Sequence, residues 1–267
     1  MGYNAHPVIV IIVFIIINSG LIIPSVSAEG LVVINNVSPF ASPYGTISVN
    51  ATSLDNVVTL PVYHGTFGEN GSINIQFQQI GKERHNVTTE SEAPVVAERV
   101  LKQYGGLPPD AVLNGAGTTY MEIYNHTLQA TTYRKPMFTT VSYSREINGL
   151  WAFGNGNTMI LTLGENGELL RIFKVWRDYT YTGDVKIIPV YSAFEKLSRG
   201  ELLNEPMISG EKITIDIASP DYYAKEIGNN DTVLEPIWLL VGKTESGARV
   251  GFYVYARQFA NFTATPT

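Results

Sequence analysis

The sequence predicts an α+β fold: two antiparallel β-sheet modules, each covered by one helix, behind an N-terminal signal or anchor segment. Three observations lead there. Within residues 141–178, two apolar, β-branched runs at 159–163 and 169–176 are joined by Gly164-Glu165-Asn166-Gly167. Asn-Gly between such runs marks a hairpin, because a type I′ turn needs φ > 0 at both central residues. Two helical patterns, one opening at Ser91 and one at Ser192, each put apolar residues on a single face, so each needs a sheet to pack on. A second long hairpin is written by 233–241 and 248–256 across Lys243-Thr244-Glu245-Ser246-Gly247. One helix-then-sheet order thus occurs twice, an echo of architecture without obvious repetition of sequence.

In chain order, residues 8–17 form an unbroken apolar run, and Val26-Ser27-Ala28 puts small residues where a signal peptidase reads. The run is short of the roughly twenty residues a spanning helix needs. Residues 1–28 are therefore read as a signal peptide or membrane anchor, and either exports the rest. Residues 29–90 are a β-leaning spacer, poor in charge, with short strands at 31–34, 46–49, 57–62 and 73–77. The first helix puts Ala93, Val96, Ala97, Val100, Leu101 and Tyr104 on one face. Ser91 is placed to cap it, Pro94 is tolerated in its first turn, and Gly105-Gly106 ends it. Strands follow at 120–124 and 137–143. Val141, Tyr143, Arg145 and Ile147 then alternate with Ser142, Ser144 and Glu146, a strand with two unlike faces.

The link Asn148-Gly149-Leu150-Trp151-Ala152-Phe153-Gly154-Asn155-Gly156 holds three glycines around its aromatics and reads as a tight, aromatic-plugged corner leading into the hairpin. Downstream come a strand at 185–190, a helix at 192–199 with Ala193, Phe194 and Leu197 inward and Gly200 ending it, and a half-buried strand at 212–217. The organisation is 1–28 signal or anchor, 29–90 spacer, 91–183 first module, 184–258 second module and 259–267 tail.

Two stretches carry a resemblance. The run from Ser144 to Ile172, with Asn148-Gly149 followed by Phe153-Gly154, resembles the propeptide motif of fungalysin and thermolysin-type metallopeptidases. Pro236-Ile237-Trp238, then Phe252-Tyr253-Val254-Tyr255-Ala256, is similar to the end of a PepSY domain. The pairing of the two modules is similar to that in YycH/YycI-like extracytoplasmic regulators. No peptidase domain follows, so the resemblance implies a propeptide-like module acting in trans, as a chaperone, inhibitor or regulator of a peptidase or a membrane sensor.

Composition narrows the functions. At 267 residues with 45% apolar content a core can form, and the absence of cysteine removes disulfides, thiolate nucleophiles and cysteine-based metal sites together. A net charge of −6, with no Lys or Arg before Lys82, excludes a phosphate-binding surface and hence nucleic acid as partner. The membrane enters only through an uncleaved N-terminal segment. Sequons at Asn36, Asn50, Asn70, Asn86, Asn125, Asn230 and Asn261 exceed what composition supplies by chance and suit an exported glycoprotein, against the plainer reading of Asn/Thr-rich loops.

Nothing in the sequence writes a reaction. His6, His64, His85 and His126 are not followed by Glu, so the helical zinc motif is absent, and the last three sit in polar, loop-like contexts. Gly149, Gly154 and Gly156 precede a strand, not the helix N-terminus a phosphate cradle uses. Glu165 and Glu168 flank a turn too exposed to raise a carboxyl's pKa, and Asp216 and Asp221 read as a solvated face before they read as a cation site. No catalytic residue, metal or cofactor is expected. The expectation is a non-enzymatic, secreted or anchored extracytoplasmic protein that binds and regulates a partner. The alternative is a structural cell-surface glycoprotein with no regulatory role.

Overall fold

The computed structural model describes residues 31–34, 37–54, 58–69, 71–77, 82, 84–125, 129–154, 156–206, 208, 210–224 and 232–258. The chain runs β1 (Leu31–Ile34), β2 (Phe40–Ser42), β3 (Gly45–Leu54), β4 (Thr59–Thr66), β5 (Ser72–Gln76), α1 (Ala93–Leu101) with a 3-10 turn (Lys102–Tyr104), β6 (Ala111–Asn125) and β7 (Ala130–Ile147). It continues with β8 (Leu150–Phe153), β9 (Asn157–Leu163), β10 (Leu169–Trp176), β11 (Asp178–Lys186), α2 (Val190–Arg199), β12 (Glu211–Tyr223), β13 (Thr232–Thr244) and β14 (Arg249–Tyr255).

The α+β expectation of two antiparallel, helix-covered modules is overturned. Strands take 62% of the described residues and helix 11%, and hydrogen bonding links fourteen strands into one mixed sheet. Its main path is β11-β4-β13-β12-β8-β7-β9-β10-β5. β12 pairs antiparallel with β13 but parallel with β3 and with β8, and neither parallel partner adjoins it in sequence. Periodicity could not show this. It reports which face a residue takes, not which distant strand lies alongside.

Two compact units are drawn from interleaved segments. The first combines 68–144 with 158–176, and the second combines 145–157 with 177–258 and the described residues up to 67. In the first, Ala93, Ala97 and Leu101 of α1 bury against Val141, Tyr143, Leu161, Leu163 and Ile172. In the second, Ala193, Phe194 and Leu197 of α2 join Ile47, Ile213, Trp238, Leu240 and Phe252. Strands of the 29–90 segment enter both: β3 lies beside β12 in the second unit, and β5 beside β10 in the first.

Several local expectations hold. β9 and β10 cover the two apolar runs, and the turn between them carries positive φ at Asn166 and Gly167. α2 buries the three residues named for it and ends at Gly200, φ 73°, whose N–H bonds back to Leu197 O. Gly105, φ 88°, closes the 3-10 turn that follows α1. The cap of α1 is corrected. Ser91 does not cap it: Glu92 flanks the helix, the turn before it is closed by Ala93 N–H to Thr89 O (2.9 Å), and the Thr89 hydroxyl accepts from Glu92 N–H (3.3 Å) while Glu92 Oε2 accepts from Thr89 N–H (3.2 Å). That reciprocal pair has the bonding pattern of a capping box, and the Thr89 hydroxyl, then its N–H, hold the Glu92 carboxyl below its usual pKa.

Candidate functional site

The β9–β10 hairpin of the first unit is strapped by a segment far upstream in sequence. Its turn is type I′, with φ 53° at Asn166, φ 82° at Gly167 and Glu168 N–H bonded to Glu165 O at 3.0 Å. Across it lies 86–88, with Val87 bridged to Glu165. Asn166 N–H donates to Asn86 O (2.9 Å), and Thr88 N–H to Gly164 O (3.1 Å). The buried Thr88 hydroxyl donates to Gly164 O (3.0 Å) and accepts from Gly167 N–H (2.9 Å). Asn86 Nδ2 also donates to Asn166 Oδ1. Arg84, buried behind the turn, meets Glu168 at 3.3 Å, and a Cβ at Gly164 would lie 2.7 Å from its Nε. A polar pocket of about 540 Å³ opens between the strap, the turn and the first turn of α1, lined by Asn86, Thr88, Glu92, Val95, Val96 and Asn166 among others.

The open side of this hairpin is β5. It pairs with β10 alone and ends the sheet path among the described residues. Phe77 N–H donates to Leu170 O and Trp176 N–H to Gly71 O. In an antiparallel ladder this alternation turns the main-chain groups of Ser72 and Asn74 away from β10. Beside them stand Ile75 and Phe77, 41% and 43% exposed, with Phe77 tilted on Tyr104 at 6.1 Å. Natural edges are blunted by charge, proline, a bulge or a cover. The other end of the path, β11, carries Asp178, Asp184, Lys186 and a bulge at Tyr181/Gly183. β14 is covered: Leu203 N–H bonds Tyr253 O, Ile188 N–H bonds Ala256 O, and Asn204 Nδ2 bonds Gly251 O. β5, Ser-Ile-Asn-Ile-Gln, has no charge, proline or bulge. The sequence showed the strand; only its place at an open edge makes it a candidate.

In the second unit the glycine corner resolves into a hairpin that the sequence reading did not name. Asn148 (φ 53°) and Gly149 (φ 78°) form the two-residue turn between β7 and β8, with Ile147 opposite Leu150. Trp151 is buried, and Phe153 stacks on Tyr253 at 5.5 Å, so Phe153 is a half-buried partner of β14. Gly154, φ 89°, meets Ala224 so closely that a Cβ would lie 2.4 Å from its carbonyl oxygen. Asp221 corrects the solvated-face reading. It is 1% exposed, accepts from Trp151 N–H at 2.8 Å and from the Ser219 hydroxyl at 2.5 Å, and burial pushes its carboxyl up to about 7 against the pull of both bonds. Asp216 pairs with Arg249 on the surface.

Two arginines, Arg145 and Arg177, are buried in the second unit. Arg145 Nη1 donates to Arg177 O (2.6 Å) and Asn157 Oδ1 (3.1 Å), and its guanidinium lies 4.8 Å from the Tyr179 ring. Arg177 sits 4.4 Å over Phe67 and reaches Gly156 O at 3.4 Å. The signal was present, since alternation had put Arg145 on the apolar face with Val141 and Tyr143.

The remaining candidates scatter. Asn50 and Asn86 are exposed, and only the backbone of Asn125 is described, at the end of β6. Asn36, Asn70, Asn230 and Asn261 lie outside the described residues, as do His6 and His126. His64 is on β4 opposite Thr180, not in a loop, while His85 is exposed. Pro236 faces Tyr222 across β12–β13, and the buried Trp238 donates its Nε1–H to Ile188 O at 2.9 Å. Among the described residues no helix is long and apolar enough to cross a membrane, and no group of three or more His, Asp or Glu is placed to hold a metal ion.

No protein-family model and no curated protein sequence matches the chain. Among solved structures it is similar to an uncharacterized protein from Eubacterium rectale ATCC 33656, at 7% identity over 80% of this chain and 91% of that one, with a TM-score of 0.38. That likeness is too slight to bear on function.

Proposed function

We propose that this protein is a non-enzymatic, exported or membrane-anchored binding protein that regulates a peptidase or a sensor protein in trans, through strand addition at β5. The open edge of β5 carries the reading. A row of main-chain groups beside exposed Ile75 and Phe77 suits an extended segment that adds as a further strand, with main-chain bonds for affinity and alternate apolar side chains for choice of partner. The apolar export segment at 8–17 supports the compartment, and the resemblance to propeptide and PepSY modules supports the class of partner.

The test is Asn74→Pro. The Asn74 N–H points away from β10, so proline removes an outward donor and no bond within the sheet. Capture of partners from the extracytoplasmic fraction should be lost while the melting temperature stays within a few degrees of wild type. Undiminished capture of a peptidase or sensor would leave the binding role and discard the edge. A second reading, a structural cell-surface glycoprotein, is favoured by Asn50 and Thr52, which stand exposed on the same face of β3 with Ala51 buried between them. Self-association as the sole interaction recovered, with a glycan at Asn50 in the intact mass, would support it.

A further inference from the structure

We infer that Asn148 is a site of spontaneous covalent ageing, and that the strap over the other Asn-Gly turn protects Asn166 from the same chemistry. Asn-Gly turns are the sites where the following amide nitrogen most readily attacks the asparagine side chain, because glycine offers no side chain in its way. The Gly149 nitrogen bonds to Asn148 Cγ and loses its proton to water. The Cγ–Nδ2 bond breaks and ammonia leaves. Water then opens the cyclic imide at Cγ to give aspartate, or at the main-chain carbonyl to give isoaspartate.

The two turns share a backbone, φ 53° then 78° at 148–149 and φ 53° then 82° at 166–167. They differ in what holds the reacting atoms. Gly167 N–H, the nucleophile, is engaged by the Thr88 hydroxyl at 2.9 Å, Asn166 Oδ1 accepts from Asn86, and Asn166 N–H donates to Asn86 O. Asn148 and Gly149 are both exposed, the space where a Gly149 Cβ would stand is open, and the Asn148 side chain donates from Nδ2 to Tyr63 Oη at 2.7 Å, which leaves Cγ open to attack. β7 and β8 share three cross-strand pairs, 145–147 against 150–152, and the further holds on β8, to β12 and to Asp221, begin at Trp151, so opening at the exposed tip alone gives the turn the freedom that cyclisation needs. The product has a consequence. Isoaspartate adds a methylene to the main chain of a two-residue turn, which shifts Leu150 against Ile147 and pulls Trp151 N–H from Asp221.

The full chain is incubated in warm, mildly alkaline buffer, and peptides are read by mass spectrometry for amide-to-carboxylate conversion. Asn148 should convert about tenfold or more faster than Asn166, the factor that one or two held hydrogen bonds supply. Thr88→Val should raise the rate at Asn166 and leave Asn148 unchanged, whereas Thr88→Ser, which keeps the hydroxyl, should stay slow. Equal rates at both turns in the wild type overturn the proposal. So does a Thr88→Val protein in which Asn166 remains as slow as before, or in which both sites accelerate together.

Discussion

Asp221 is a buried carboxyl held by two donors, with the Tyr222 and Tyr253 hydroxyls as the titratable groups that sense its charge. Its folded pKa stands above its unfolded value of 3.8, at about 7. The native state therefore keeps this proton when the unfolded chain has lost it. That contribution to stability is complete below the unfolded pKa and fades as pH rises through the folded one. Melting temperature measured from about pH 4 to about pH 8 should show wild type losing ground against Asp221→Asn across the window. The amide keeps an acceptor for Trp151 N–H and cannot ionise; a parallel pair of curves would sink the assignment. Glycines 149 and 154 make a second contrast, because both have positive φ but only Gly154 faces a backbone carbonyl at 2.4 Å. Gly149→Ala should cost about 1–2 kcal/mol, the left-handed penalty alone. Gly154→Ala should cost about 3 kcal/mol or more, since overpacking is added. Urea midpoints separate them. The residue types at the corner were legible, but the buried carboxylate was not: an Asp on an alternating strand reads as outward until the neighbouring strands are known.

At the scale of elements, the strap and hairpin act as one unit. Thr88 is buried and its hydroxyl serves two main-chain groups of the turn, while its carbonyl accepts from the Thr139 hydroxyl at 2.5 Å. Thr88→Val keeps the volume and leaves Gly167 N–H without its acceptor, so it should cost about 2–3 kcal/mol. Asn86→Ala removes one exposed bond and should cost under about 1 kcal/mol. A thermal shift ordering these two the other way would show that the strap is held by its side chains at 86 rather than at 88. The hairpin itself was readable because its cause is local: Asn-Gly sets the turn, and apolar runs of matched length set the strands. The strap was not, because Asn86-Val87-Thr88 is too short to show a period, and as a sequon the same three residues are equally a glycosylation pattern.

For the whole molecule, the pairings that define the sheet are long in sequence. β12 joins β3 at 211 opposite 45, and β5 joins β10 at 76 opposite 171. Closing such loops precedes any reward from the contacts, so refolding from urea should take seconds or longer rather than milliseconds. A dominant millisecond phase in stopped-flow fluorescence, with the native melting temperature recovered, would contradict this. Core substitutions in the two units, Leu163→Ala in one and Leu240→Ala in the other, should each cost about 2–5 kcal/mol, since both residues are fully buried. What the sequence by itself determined is what neighbours within a few residues decide: the β9–β10 turn, the buried faces of α1 and α2, the glycines that end helical segments, and the alternation of β7. Only the tertiary structure decided that β12 takes β3 and β8 as parallel neighbours, that Asp221 and Arg145 are sealed inside, and that β5 ends the sheet path among the described residues. The physical reason is that propensity and periodicity set the shape of a segment and its apolar side. Which distant segment covers that side, and which edge is left unpaired, is settled by the burial and hydrogen bonding of the assembled chain.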